Sequence, residues 1–245
     1  MDTRHLIEAL TCFGLTRQEA TLYLCLSQNG ELTGYEAAKQ TGISRSNAYG
    51  ALAGLVDKGA AYTAEGTAVR YHTVSPEEFC SNKIRALEEL KEQLKRFMPK
   101  PKPETEGYLT VTGDVHIRDR VKNMISGAKE RVYLSMNVEF VEIFEAEITE
   151  AIANNRKAVI LTDGFLPHLN AVIYQVEDRK AQIGVITDSA YVLTGEFGKG
   201  ESSACLYTGQ PNFVQVFKDS MRNEIKLIQL LKGEKEREEG TVCNL

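Results

Sequence analysis

The sequence predicts a small α+β domain, one long helix and a larger α/β domain, joined in series. Three observations carry this expectation. Apolar residues recur at three- and four-residue spacing through most of residues 1–75, then give way to two short runs around a polar turn. Pro99, Pro101 and Pro103, interleaved with lysines, interrupt the chain with a stretch that cannot be helical. From Tyr108 onward, strand-like runs alternate with helix-like ones. At 245 residues the chain suits two domains, each large enough to bury a core.

In order, Asp2 or Thr3 caps a first helix with Leu6, Ile7, Leu10 and Phe13 on one side, ending at Gly14. Thr16 and Glu19 form a capping box, and the helix they open is nearly apolar through Ala20, Leu22, Tyr23, Leu24 and Leu26, which places it centrally. Cys12 and Cys25 sit on apolar faces and are expected in the core. Thr33 and Glu36 make a second capping box, Gly42 supplies a tight turn, and Ser44 starts another helix. In that helix Ala48, Ala51, Leu52, Leu55 and Val56 commit one face to a core. The other face carries Ser46, Asn47, Gly50 and Ala53, with Arg45 and Tyr49 at its margins. Such small polar tips allow a helix to lie close in a major groove. After Gly59, Ala61–Thr63 and Val69–Thr73 read as two strands around Ala64-Glu65-Gly66-Thr67, a wing. Residues 1–75 are thus expected to be an α+β winged helix-turn-helix. Its DNA contacts are expected from Thr33, Ser44, Arg45, Ser46, Asn47, Tyr49 and Gly50, and from Gly66 and Arg70 on the wing. The same elements can also serve as a plain packing unit, which leaves open an adaptor that binds protein and no DNA.

Ser75 and Pro76 start the long helix, over residues 76–98. Cys80, Lys83, Leu87, Leu90, Leu94 and Phe97 alternate at three and four residues, a short coiled-coil seam that predicts a homodimer held by Leu87, Leu90, Leu94 and Phe97. An amphipathic helix lying on its own domain would show the same pattern. Residues 99–107 read as a stiff proline-rich linker and 108–245 as the second domain. There, YLTVTG, a helix capped by Asp114, RVYLSMN, a helix from Val138 to Asn154, and KAVILTD suggest βαβαβ with a parallel sheet. A loop around Gly164 to Leu169 follows. QIGVITD and YVLTGEF suggest a hairpin, ACLYTG a further strand, Pro211 to Leu231 a closing helix, and the charged KGEKEREEG a frayed tail.

The net charge of −5 speaks against nucleic acid, but its distribution is uneven. Residues 1–75 hold six Lys/Arg against seven Asp/Glu, and residues 76–103 hold seven against five. One copy therefore offers few phosphate contacts, and useful affinity calls for two. Five cysteines without a C-x-x-C pair indicate neither a disulfide framework nor a metal site, and no cofactor is implied. With no bilayer-length apolar run and no signal-peptide layout, a cytoplasmic protein with no membrane partner is expected.

Residues 1–80 resemble the winged-helix domain of the TrmB family of transcriptional regulators. There, a helix such as LTRQEATLYLCL precedes ISRSNAYGALAGLVDKG and a wing ending in RYHTVSP. The resemblance implies sequence-specific binding to double-stranded DNA under control of a small-molecule effector, a sugar or similar polar metabolite. The second domain is similar to the phospholipase-D-like domain that follows the winged helix in part of this family. Enzymes of that superfamily carry H-x-K-x-x-x-x-D. Placing Asp188 on the aspartate puts Ala181 at the histidine and Ile183 at the lysine, so nucleophile and phosphate holder are both missing. A phosphodiesterase would need other residues, and His5, His72, His116 and His168 each lack a lysine two positions on. For a non-catalytic parallel α/β domain, the strand ends place the expected effector site at Ser135, Asn137, Asp163 and Thr208.

Overall fold

The computed structural model describes residues 2–64, 66, 68–99 and 107–242, with side chains as far as Leu231. Most of the proline-rich linker, and Glu65 and Thr67 of the wing, lie outside these residues. The chain divides into two compact units, residues 1–100 and 101–245.

The first unit runs α1 (Thr3–Cys12), α2 (Arg17–Asn29), β1 (Leu32–Thr33), α3 (Gly34–Thr41), α4 (Arg45–Asp57), β2 (Ala61–Ala64), β3 (Arg70–Thr73) and α5 (Pro76–Phe97). Both expected capping boxes are formed, Thr16 with Glu19 and Thr33 with Glu36. Gly42 takes the left-handed conformation (φ 72°) that closes the turn between α3 and α4. The wing strands β2 and β3 pair antiparallel, and β1 adds a third strand through Leu32–Tyr71 and Thr33–Arg70. Tyr23, Leu22 and Leu26 of α2 are fully buried beside Leu52 and Leu55 of α4, so α2 is the central helix. The Tyr23 hydroxyl donates to Val74 O at 2.7 Å, and burial pushes its phenol up to about 12. Cys12 departs from expectation: it is exposed, because α1 buries only Leu10 and leaves its last residue in solvent, whereas Cys25 is buried.

Phe79, 1% exposed and packed near Tyr23 and Phe13, roots α5 in this core. Beyond it α5 leaves the domain. Ile84, Leu87, Leu90, Leu94 and Phe97 are all exposed, Phe97 to 74%, forming an apolar stripe that is uncovered among the described residues.

The second unit contains β4 (Tyr108–Thr112), α6 (Asp114–Gly127), β5 (Arg131–Ser135), α7 (Val138–Ile143), α8 (Glu145–Ala153), β6 (Lys157–Thr162), β7 (Val172–Gln175), β8 (Gln182–Thr187), β9 (Tyr191–Glu196), β10 (Ala204–Thr208) and α9 (Pro211–Val242). The seven strands form one sheet in the order β4-β10-β9-β8-β5-β6-β7. Only β5–β6 and β6–β7 are parallel. This corrects the expected parallel βαβαβ: β4 stands at the far edge, antiparallel to β10. β7, in a stretch for which no element is expected, is a short edge strand. The expected hairpin is present, with Asp188 (φ 51°) and Ser189 (φ 56°) turning the chain between β8 and β9.

Side chains alternate across the sheet. Val132, Leu134, Ile183 and Val185 face α6 and α8, while Ile186 and Val192 face Met221 and Val214 of α9. The helix expected from Val138 to Asn154 breaks at Phe144, whose φ of −107° lets the ring turn inward and bury completely beside Phe197. Asp114 is the first residue of α6 and not its cap. Gly113 (φ 82°) holds that position, and the Asp114 carboxylate accepts from Gly198 N, Gly200 N and Ser203 Oγ instead. The charged tail expected to fray continues α9 to Val242.

Candidate functional site

The outward face of α4 follows from its inward one. Once Ala48, Ala51, Leu52 and Leu55 are buried, helical geometry turns Arg45, Ser46, Asn47, Tyr49, Gly50 and Ala53 to solvent. Ser44 caps the helix by accepting from Asn47 N, at 3.4 Å. A Cβ on Gly50 would meet nothing within 4 Å, so this face is open. The Arg45 guanidinium lies over the ring of Tyr35 on α3, 4.4 Å from its centroid. Tyr49 lies against Gly34, where a Cβ would strike its ring. Tyr35 was not among the residues expected here. Its signal was an aromatic seven residues, about two helical turns, before Gly42.

Two expected contact residues are engaged within the domain. The Thr33 hydroxyl caps α3, accepting from Glu36 N at 3.3 Å and donating to Glu36 Oε2 at 2.9 Å. Backbone and side-chain hydrogen bonds from Thr33 hold the Glu36 carboxyl below its usual range. Arg70 starts β3 beside the wing's turn, paired with Ala64, donating to Glu31 O at 3.3 Å and lying 3.8 Å from Glu36 Oε2. Gly66 is at the tip.

One ion pair fixes the far end of α4. Lys58 Nζ is 2.6 Å from Glu19 Oε2 and also donates to Gly14 O at 2.9 Å. Glu19 is only 6% exposed. Burial raises its pKa, but hydrogen bonds from Lys58 and Thr16 more than offset this and leave it below the usual carboxylate range. Gly54 leaves room for that carboxylate, which a Cβ there would strike.

In the second unit the four expected effector residues do not meet. Since β10 runs opposite to β5 and β6, Thr208 lies at the end of the sheet away from Ser135, Asn137 and Asp163. Asn137 donates to Asp178 Oδ1 at 2.8 Å and accepts from Arg179 N at 2.7 Å, pinning the loop before β8. Asp163 accepts from Val138 N at 2.8 Å at the start of α7. Ser135 lines a cavity of about 340 Å³ with Arg179, Thr194 and Glu224. Arg179 pairs with Glu224 and leaves its buried Nε without a partner among the described residues. Thr208 lines a different cavity, of about 580 Å³, with Tyr108 and Tyr191.

Two residues at the phosphodiesterase positions are engaged within the fold. Ile183 is 2% exposed in the core. The Asp188 carboxylate accepts from Lys129 N, Glu130 N and Arg131 N at 2.7, 2.9 and 3.0 Å, clamping the turn onto the start of β5.

Residues 10–77 match the family model described as sugar-specific transcriptional regulator TrmB. Over that stretch the chain is similar to TrmB-type regulators. The chain is 26% identical over 244 residues to the uncharacterized protein YrhO of Bacillus subtilis, covering 88% of that protein. It is 30% identical over 149 residues to the sugar-sensing transcriptional regulator TrmBL1 of Pyrococcus furiosus, spanning only 43% of its length. Among solved structures, the archaeal chromatin protein TrmBL2 aligns over 92% of this chain and 98% of its own, with 21% identity and a TM-score of 0.44. The phospholipase D family member Nuc of Salmonella typhimurium aligns over 48% of this chain and 93% of its own, with 14% identity and a TM-score of 0.34. The TrmB-type match ends at residue 77, just inside α5, so the Arg45–Tyr35 face of α4 lies wholly within it.

Proposed function

We propose that this chain is a cytoplasmic, homodimeric, sequence-specific DNA-binding transcriptional regulator whose second domain takes a small polar effector and performs no phosphodiester chemistry. The observation that carries the reading is the α4 face: an open, small-residue surface with one arginine held in place by an aromatic ring, the form a helix needs to enter a major groove. The exposed Leu87, Leu90, Leu94 and Phe97 support pairing of two copies through α5. The Ser135 cavity, bordered by Arg179, Thr194 and Glu224, supports a small polar effector such as a sugar. Asp188, spent on backbone N–H groups, supports the absence of catalysis.

Fluorescence anisotropy with duplex DNA from the gene's own upstream region tests the reading. That duplex should bind at least tenfold more tightly than a scrambled one. Equal affinity for both would reject sequence-specific regulation. Repeating the titration with a panel of sugars tests effector control, which fails if none changes the affinity.

A further inference from the structure

A second cavity in the α/β unit carries a chemistry unlike the rest of that domain. On α9, Lys218, Arg222 and Lys226 follow one another at four-residue steps and therefore stand in a row on one side of the helix. They edge a cavity of about 290 Å³, and Gln229 continues the row. Its floor is apolar: Met221 and Ile225 from α9, Ile186 from β8, and the ring of Tyr133 from β5.

The charge is one-sided. Residues 104–245 hold 16 Lys/Arg against 22 Asp/Glu, yet three of those cations border this one cavity and no carboxylate lines it. Asp219, the neighbouring acid on the helix, lies 2.8 Å from Arg222 Nη1 and accepts from Gln215 at 2.9 Å. Lys218 and Lys226 have no ion pair among the described residues. Their aliphatic stems can lie along the apolar floor while the ammonium groups stay at the mouth.

We infer that this cavity binds a small organic anion with an apolar body, a carboxylate of roughly ten heavy atoms given about 30 Å³ of space for each water-sized group. The body displaces water from Met221, Ile225 and Ile186, and the carboxylate accepts charge-assisted hydrogen bonds from the lysines and Arg222. An alkyl chain and an aryl ring satisfy the same chemistry. The inference does not depend on DNA binding.

Isothermal titration of the full chain with octanoate and with 3-phenylpropanoate tests it, using acetate (charge without body) and octanol (body without charge) as references. At least one of the two carboxylates should bind tenfold or more tightly than both references, and should weaken as salt is raised. The double variant Lys218→Glu with Lys226→Glu, which alters only surface charge, should lose at least tenfold of that affinity. The neutral pair Lys218→Gln with Lys226→Gln should fall between. The inference is overturned if neither carboxylate outbinds acetate, or if charge reversal leaves the affinity unchanged. It is equally overturned if reversal weakens duplex DNA binding while the carboxylates do not bind, since the row would then serve a phosphate backbone.

Discussion

Arg45 and Tyr35 form a cation–π pair across the helix-turn-helix, guanidinium carbon to ring centroid 4.4 Å, with Tyr35 about half exposed. An arginine already held in one orientation loses less side-chain entropy when it reaches a base. Arg45→Ala is expected to weaken specific binding by about 1–3 kcal/mol if it reads a base edge. Tyr35→Ala should cost about 0.5–1 kcal/mol through the lost ring contact, and Tyr35→Phe little, because the ring and not the hydroxyl makes it. Anisotropy titrations of the three variants check this. Equal loss in Tyr35→Phe and Tyr35→Ala would mean that the hydroxyl contacts DNA directly.

The Glu19–Lys58 pair makes a stability prediction with a definite pH sense. Glu19 titrates lower in the folded protein than in the unfolded chain, so its contribution is fully present above the ordinary glutamate pKa of about 4.3 and is lost as pH falls through the depressed value. Glu19→Gln should lower Tm at pH 7, and the gap from the parent should close as pH falls below about 4.3 and through the depressed value. Lys58→Met should be worse at pH 7, costing about 2–3 kcal/mol. That is less than the loss from a fully enclosed pair, since about a third of Lys58 stays in solvent. Melting curves across that pH range decide it, and a constant gap would show that the pair contributes no pH dependence.

Asp188 predicts a structural effect without a catalytic one. Asn tolerates the left-handed conformation at this position, so Asp188→Asn removes the charge while keeping the turn. A loss of about 1–2 kcal/mol in stability is expected from the weakened acceptor. A chromogenic phosphodiester should not be turned over by either form. Turnover by the parent that disappears in Asp188→Asn would assign this carboxylate a role in chemistry.

The α5 stripe predicts assembly. Replacing Leu90 and Leu94 with glutamate should yield monomers by light scattering and abolish cooperative operator binding, whereas the parent should run as a dimer and read half-sites about 34–36 Å apart or a multiple of that. A dimer unchanged in mass would place the pairing surface in the second domain.

Local structure was far more legible in the sequence than pairing. Thr16, Glu19, Thr33 and Glu36 announced two helix starts because a capping box is complete within four residues. The apolar spacing of α4 likewise fixed which side faces outward. Strand partners were not legible, since two-residue alternation marks a strand without naming its neighbour. β4 therefore gave no sign that it joins β10, more than ninety residues later, and Thr208 was placed at the wrong end of the sheet because strand direction is a property of the assembled order. The break at Phe144 was hidden for a similar reason: a helix-compatible phenylalanine turns inward only because a space beside Phe197 receives it. The Glu19–Lys58 pair spans 39 residues, and nothing local in either segment anticipates it.

The clamp at Asp188 also governs which substitutions this chain can accumulate. Its three donors are main-chain N–H groups, so the clamp itself places no demand on the side chains of Lys129, Glu130 and Arg131, and as far as the turn is concerned those positions can drift among relatives that keep it. Proline is the exception, because it alone lacks the hydrogen each donor needs. An acid at 188 should therefore persist against a changing background at 129–131 from which proline is excluded.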